Sequence, residues 1–343
     1  MSNAGKIIPG VINVIKRIAV MTSGGDSPGM NAAIMSIVET AIARGIDILG
    51  IKRGYEGLLD EDLVPLSLDK VRGIAFKGGT ILGTSRSKRF LKLEWQRYAI
   101  DIISANDIDS LIIIGGDGSL HGAWELSKLG IPTIGLPGTI DNDLSGTDFT
   151  IGFDTAVHVA RNAIAKIGDI AKTEDTAFVV EVMGRHSGFI SLFAGLTSGA
   201  DFIVFPENPI SADFIGRCLL KRQSSLKRSS SSVIVLAEGV SDGFTYANEI
   251  REVVGNNITV NVSVLGYIQR GGIPTAFDSF VATFLGHHAV EMLLAGKKNG
   301  MVGIHGLYAV FTPYEQLFST KSTPPASLIE LANLTNKTGC RDI

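Results

Sequence analysis

The chain has 343 residues, 45% hydrophobic and 19% charged, which suits a soluble enzyme with two lobes and large cores. A formal charge of −3, from 31 basic and 34 acidic side chains, excludes a general nucleic-acid surface. The apolar patch from Ile7 to Ile15 is broken by Pro9 and Gly10, and no apolar run reaches bilayer length, so neither a secretory leader nor a membrane span is expected. Cys218 and Cys340 make neither a disulfide framework nor a metal cluster; they read as unpaired bystanders of a reducing cytoplasm.

Short apolar runs alternate with helical stretches along the chain. A strand over Arg17–Thr22 passes through Ser23-Gly24-Gly25-Asp26-Ser27-Pro28 into a helix over Gly29–Arg44, whose free N–H groups suit an anion. No Gly-Lys-Ser/Thr follows, so this is not a Walker A loop. After a strand over Ile46–Ile51 comes Gly83-Thr84-Ser85-Arg86-Ser87-Lys88, where Arg86 is either part of a solvated charge cluster or a guanidinium placed to bridge phosphoryl oxygens. A helix is expected over Leu91–Ala105.

The strand Leu111–Ile114 then stops in Gly115-Gly116-Asp117-Gly118-Ser119. Such a stop lets backbone N–H groups approach phosphate, and Asp117 supplies a hard oxygen for Mg²⁺. A helix over Ser119–Leu129 and a strand over Thr133–Leu136 lead to Thr139-Ile140-Asp141-Asn142-Asp143, which puts two carboxylates near the same sheet edge. A metal–phosphate grip beside a potential base, Asp141, implies phosphoryl transfer to a hydroxyl.

A second lobe is expected from about Phe153, with a helix over Thr155–Thr173 and strands over Ala177–Val182, Phe202–Phe205, Val233–Ala237 and Val262–Leu265. The first of these runs into Met183-Gly184-Arg185-His186-Ser187-Gly188, where Arg185 offers a fork for phosphate and His186 reads as a structural histidine rather than the base. The serine-rich Ser224–Ser232 reads as a surface loop. Glu238 could accept sugar hydroxyls, and Tyr267-Ile268-Gln269-Arg270-Gly271-Gly272 offers Arg270 beside a flexible pair, with re-entry to the first lobe near Gln269. The alternation predicts an α/β fold of mostly parallel sheets flanked by helices, with ligands at the carboxyl ends of the strands.

Together these motifs resemble the phosphofructokinase family of the bacterial and mammalian type, from about Arg17 to Met292. The resemblance implies the phosphofructokinase fold of two Rossmann-like lobes: residues 1–152 and 269–318 for nucleotide, residues 153–268 and 319–343 for acceptor. It implies that Gly25, Arg86, Ser87, Gly116, Asp117, Gly118 and Ser119 line the phosphates of ATP, with Asp117 at Mg²⁺. Asp141 would take the acceptor proton, supported by Thr139 and Asp143, while Arg86 and Arg185 stabilise the phosphoryl group in flight. Thr139, Asp141, Met183, Gly184, Arg185, Glu238, Tyr267 and Arg270 would surround the sugar phosphate. The implied setting is cytoplasmic glycolysis, with fructose 6-phosphate as acceptor and a homotetramer or dimer as the assembly, with no nucleic-acid or membrane partner.

Three departures qualify the resemblance. Pyrophosphate users of the family carry an aspartate and a lysine where this chain has Gly118 and Gly138, which favours ATP as donor. Basic residues expected around the 6-phosphate are replaced by Thr176, Asn261 and Tyr267, so another sugar or polyol is the alternative acceptor; Lys172 or Arg161 could compensate. A catalytically silent nucleotide-binding subunit is the remaining reading, disfavoured by the intact Arg86, Asp117, Asp141 and Asp143. Finally, Met35, Glu39 and Leu68 occupy positions where arginines would receive a phosphorylated effector, and Glu39 would repel one. No activation by ADP and no inhibition by phosphoenolpyruvate at that site is therefore expected; a change in rate or cooperativity at millimolar effector that traces to this site would sink this expectation.

Overall fold

A run such as Leu111-Ile112-Ile113-Ile114 has no polar face to give to water, so it folds as a strand covered on both sides. The computed structural model describes residues 15–224 and 231–340. Most of the apolar patch that starts at Ile7 and of the serine-rich segment lies outside the described residues.

In chain order the first part comprises β1 (Arg17–Ser23), α1 (Met30–Ala43), β2 (Asp47–Ile51), α2 (Gly54–Leu59), β3 (Leu63–Pro65) and α3 (Leu68–Val71). It continues with α4 (Leu93–Ala105), β4 (Ser110–Gly115), α5 (Asp117–Lys128) and β5 (Thr133–Pro137). Then follow α6 (Phe153–Glu174), β6 (Ala177–Val182), α7 (Phe189–Ser198), β7 (Phe202–Val204), α8 (Ala212–Ser224), β8 (Ser232–Ala237), α9 (Gly243–Val254) and β9 (Val260–Val264). The chain closes with α10 (Ala276–Leu294), β10 (Gly300–His305), β11 (Tyr308–Pro313), α11 (Tyr314–Leu317) and α12 (Ala326–Gly339).

These strands form two sheets. The larger has the order β11-β10-β5-β4-β1-β2-β3, parallel except for its two edge strands, and the smaller, β7-β8-β6-β9, is wholly parallel. Alternation divides each strand between two cores: Ile18 and Val20 face α1 and α10, whereas Ala19 and Met21 face α2, α4 and α5. In the smaller sheet Val180 and Val182 face α6 and α7, and Val179 faces α8 and α9.

Several elements differ from expectation. Helix α5 starts at Asp117, not Ser119, because Gly116 serves as its N-cap, and so Asp117 sits in the first helical turn. A 3₁₀ turn over Arg89–Leu91 precedes α4, and β9 starts at Val260, where Asn261 had hidden the strand. The β10–β11 hairpin was not anticipated, since Gly300 and Gly303 interrupt its apolar pattern. Cys218 and Cys340 are not bystanders: they form a disulfide across 122 residues of sequence. Their spacing carries no sign of pairing, which arises only because α8 and the end of α12 converge beside β7. There the Asn336 amide accepts from Ile203 N at 2.7 Å and donates to Ile203 O at 3.1 Å.

A buried carboxylate helps to join the two sheets. Asp278, on α10, accepts from Gly152 N (2.9 Å), Thr155 N (2.6 Å) and the Thr155 hydroxyl, and so caps α6 from another helix. Burial pushes this carboxyl up to about 6 against the pull of its donors. Helix α10 also packs along α1, so the start of α6 is fixed relative to the larger sheet. Replacing Asp278→Ala strands two amides and a hydroxyl and should cost about 2–4 kcal/mol in urea unfolding. Lys298→Ala, on the exposed loop after α10, should change less than about 0.5 kcal/mol.

Candidate functional site

Strand register brings the chemistry-bearing loops to one edge of each sheet. Ser23 pairs with Gly115, and Gly115 with Pro137, so the loops after β1, β4 and β5 leave side by side. Between β1 and β4 the strand order reverses, the place where open α/β sheets bind ligands. In the smaller sheet Val182 pairs with Ala237 and Glu181 with Val264, which aligns Met183, Glu238 and the turn containing Arg270.

Asp141 stands at the centre. Asn142 fixes its loop, donating to Asp148 O at 3.1 Å and accepting from Thr150 N at 2.8 Å, and Thr139 Oγ1 accepts from Asp141 N at 3.2 Å. The Asp141 carboxyl is pushed up to about 6, first by burial and then by the charge of Asp143, while Arg185 and Arg270 pull it down. Arg185 Nε lies 3.6 Å from Asp141 Oδ2. Burial also raises Asp143, helped by the charge of Asp117 and opposed by Arg185 and Lys321.

The loop carrying Arg185 is shaped by backbone that few residues tolerate. Gly184 has φ +136° and Arg185 φ +52°, and a Cβ at Gly184 would lie 2.6 Å from Ser187 O. Glu238 Oε1 accepts from Gly184 N (3.2 Å) and Arg185 N (2.8 Å), which holds this turn in place. Ser187 Oγ then donates to the carbonyl of Asp141 at 2.9 Å, tying the loops of the two sheets together. The buried Gln269, not anticipated from sequence, accepts from Met183 N at 3.4 Å.

Arg270 crosses to the larger sheet and pairs with Asp26. It passes so close to Gly25 that a Cβ there would lie 2.8 Å from Arg270 Nη2. Tyr267 is 77% exposed, its ring 5.4 Å from the Arg270 guanidinium carbon. Gly116 lies against Thr139, a Cβ there falling 3.4 Å from Thr139 Cβ, and Ser119 Oγ would meet one at Gly24 at 3.1 Å. Thr84 Oγ1 donates to Gly24 O at 2.8 Å and draws the Arg86 loop to the same edge.

Two expected residues stand apart from this convergence. Arg86 is exposed and has no hydrogen bond or ion pair among the described residues. The Ser87 hydroxyl accepts from Phe90 N at 3.1 Å, closing the turn before α4. A Cβ at Gly118 would meet open space, while His121 Nδ1 lies 3.4 Å from Asp117 Oδ1. Among the described residues no three His, Cys, Asp or Glu side chains form a metal cage. Asp117 and Asp143 are near enough that the charge of one raises the other, and two hard carboxylate oxygens suit an ion that completes its shell with phosphate and water, as Mg²⁺ does.

Comparison with known proteins agrees over nearly the whole chain. The family model described as Phosphofructokinase matches residues 17–293. Proteins named ATP-dependent 6-phosphofructokinase from Shouchella clausii and Paenibacillus macquariensis are 45% and 46% identical over 318 residues, covering 93% of this chain and 98% of each relative. Phosphofructokinase from Saccharomyces cerevisiae superposes with a TM-score of 0.80 at 35% identity, and this chain spans 94% of itself and 47% of the yeast chain. A pyrophosphate-dependent phosphofructokinase from Marinobacter aquaeolei gives a TM-score of 0.80 at 26% identity, covering 91% and 86%.

Because its carboxyl is raised, Asp141 gives up its proton-accepting form as pH falls through about 6, well above an ordinary aspartate. Carbon-detected NMR titration should place its midpoint near 6, and Asp143→Asn should move that midpoint down by removing the neighbouring charge. A midpoint near 4, or one indifferent to Asp143, would contradict this environment.

Proposed function

Since the chain belongs to the phosphofructokinase family, we propose that it is an ATP- and Mg²⁺-dependent kinase that transfers the γ-phosphoryl group to fructose 6-phosphate, giving fructose 1,6-bisphosphate in glycolysis. The observation that carries this reading is the buried Asp141, raised to about 6, between the loops of the two sheets with Arg185 at 3.6 Å. A base with that environment is ionised at neutral pH, yet basic enough to accept a hydroxyl proton as the oxygen attacks. Thr139 and Asn142 hold its loop, and in this reading Arg185 would meet the negative charge of the phosphoryl group in flight.

In this reading Gly25, Gly116, Gly118 and Ser119 line the phosphates, and Arg86, free in solvent, turns onto them together with Ser87. Asp117 and Asp143 would hold Mg²⁺, which when bound offsets the charge of the phosphates. The donor argument rests on Gly118, whose open side leaves room for the rest of a nucleotide. Gly138 carries less of it, because a Cβ there would also press on Ile114 at 2.9 Å and on Gly115 N at 3.1 Å.

Met183, Gly184, Glu238, Tyr267 and Arg270 would surround the acceptor. Glu238 does so indirectly, by holding the turn, since one of its oxygens is engaged with two backbone amides. Thr176 and Asn261 lie at the opposite ends of β6 and β9, about 20 Å from Met183 by strand rise. Thr176 is buried with its hydroxyl unpartnered, so it offers nothing to a phosphate from any direction. Arg161 is engaged too, donating to Thr197 O at 3.1 Å. The loss of the basic residues expected at Thr176, Asn261 and Tyr267 favours, as a second reading, the same chemistry on another sugar or polyol, with the exposed Lys172 as the cation that could compensate.

The lobes 1–152 with 269–318 and 153–268 with 319–343 are supported by the two sheets and by the packing of α12 on β7 and α7. Residues 1–14, 225–230 and 341–343 lie outside the described ones. A cytoplasmic homotetramer or dimer completes the proposal. The assembly is supported by the exposed Tyr267, Ile268 and Ile273 beside the acceptor loops.

Steady-state assays with ATP and Mg²⁺ should give turnover of fructose 6-phosphate above that of fructose, fructose 1-phosphate, sedoheptulose 7-phosphate and sugar alcohols, with pyrophosphate inactive as donor. Preference for another acceptor would establish the second reading instead. Asp141→Ala should cut kcat roughly 10²–10⁴-fold while ATP still binds; full turnover in that variant would exclude Asp141 as base.

A further inference from the structure

The disulfide between Cys218 and Cys340 lies far from the carboxylates, yet it ends a continuous set of contacts that reaches them. Cys218 is 2% exposed on α8, whereas Cys340 is half-buried just past α12. Helix α12 has a thin anchorage of its own: of its 14 residues only Ala332, Asn336 and Gly339 are buried. From it, Asn336 grips Ile203 in β7, and Asn333 Oδ1 accepts from Asn208 Nδ2 at 2.7 Å. Between those two anchor points stands Glu207, whose Oε1 accepts from Gly188 N at 3.1 Å while its other oxygen is buried without a partner. The residue before Gly188 is Ser187, which bonds to the carbonyl of Asp141.

We propose that Cys218 and Cys340 are a reversible thiol–disulfide modification site that fastens α12 to the smaller sheet and thereby sets how firmly the Met183–Ser187 loop is held. Oxidation is exchange with a small disulfide such as oxidised glutathione: the two cysteines lose their protons and join, and the glutathione disulfide leaves as two thiols. In the reverse direction a thiolate attacks the more accessible Cys340 sulfur, the bond to Cys218 breaks, and the Cys218 thiolate leaves and takes a proton. A second thiol then releases Cys340. Bridging 122 residues restrains the unfolded chain strongly, so the dithiol form is also the less stable one.

The test uses the full-length protein equilibrated in oxidised or reduced glutathione. Alkylation and intact mass should find no reactive thiol in the oxidised protein and two after denaturation in the reduced one. Reduction should lower Tm by about 4–15 °C. Free cysteines in oxidised glutathione would overturn the site, whatever the enzyme's activity. The kinetic arm rests on the kinase reading: reduction should raise KM for fructose 6-phosphate about fivefold or more, with KM for ATP unchanged. Cys340→Ser should behave as the reduced protein in both buffers, and Asn333→Ala, with the disulfide intact, should raise the acceptor KM in the oxidised protein. Identical acceptor KM values in the two redox states of an active enzyme would overturn the coupling. Should the enzyme turn over another acceptor, the same comparison is made on that acceptor.

Discussion

The Asp278 carboxylate, buried on α10 and bonded to the first turn of α6, decides how the two sheets meet. Helix α10 packs against α1, which begins where the Gly24–Asp26 loop ends. Helix α6 begins where the Asp141 loop ends. One side chain therefore relates the loops of β1 and β5 to each other and to the smaller sheet. Thr275 reinforces it by accepting from Asp278 N at 3.1 Å and donating to Asp154. Burial raises the Asp278 carboxyl against the pull of its three donors.

On that joint the site is assembled more by backbone than by free side chains. Glu238 shapes the Gly184–Arg185 turn, Ser187 ties it to Asp141, and Gln269 steadies Met183. Asp141 is consequently surrounded by fixed groups of both signs, and its basicity follows from burial beside Asp143 with two arginines in opposition. Arg270 is already paired with Asp26, so an incoming anion must compete with a carboxylate for that guanidinium.

The legible part of this molecule was local. Leu111–Ile114 announces β4, and a glycine-rich stop after a strand announces a ligand edge, so the strand-end motifs and most of the α/β pattern could be read directly. Hidden features depend on partners remote in sequence. Nothing near Asp278 indicates Gly152, 126 residues away, and nothing near Cys340 indicates Cys218. The family resemblance assigns Ser87 to phosphate, but nothing in its neighbourhood of sequence announces that its hydroxyl also closes the turn before α4. Gly138 reads as space left for the donor, and nothing near it in sequence signals the close approach to Ile114 that also bears on it. Composition cannot separate a glycine kept for a ligand from one kept for a neighbouring chain segment.

Asn336 has a consequence beyond the docking of its helix. Strand β7 is the outermost strand of its sheet, and an outer strand offers its free peptide groups to any passing chain. The Asn336 amide occupies both groups of Ile203 on that rim, and Gly339 lies so close that a Cβ there would be 2.4 Å from Asp201 O. Helix α12 thus shields this rim from strand-to-strand pairing with another chain.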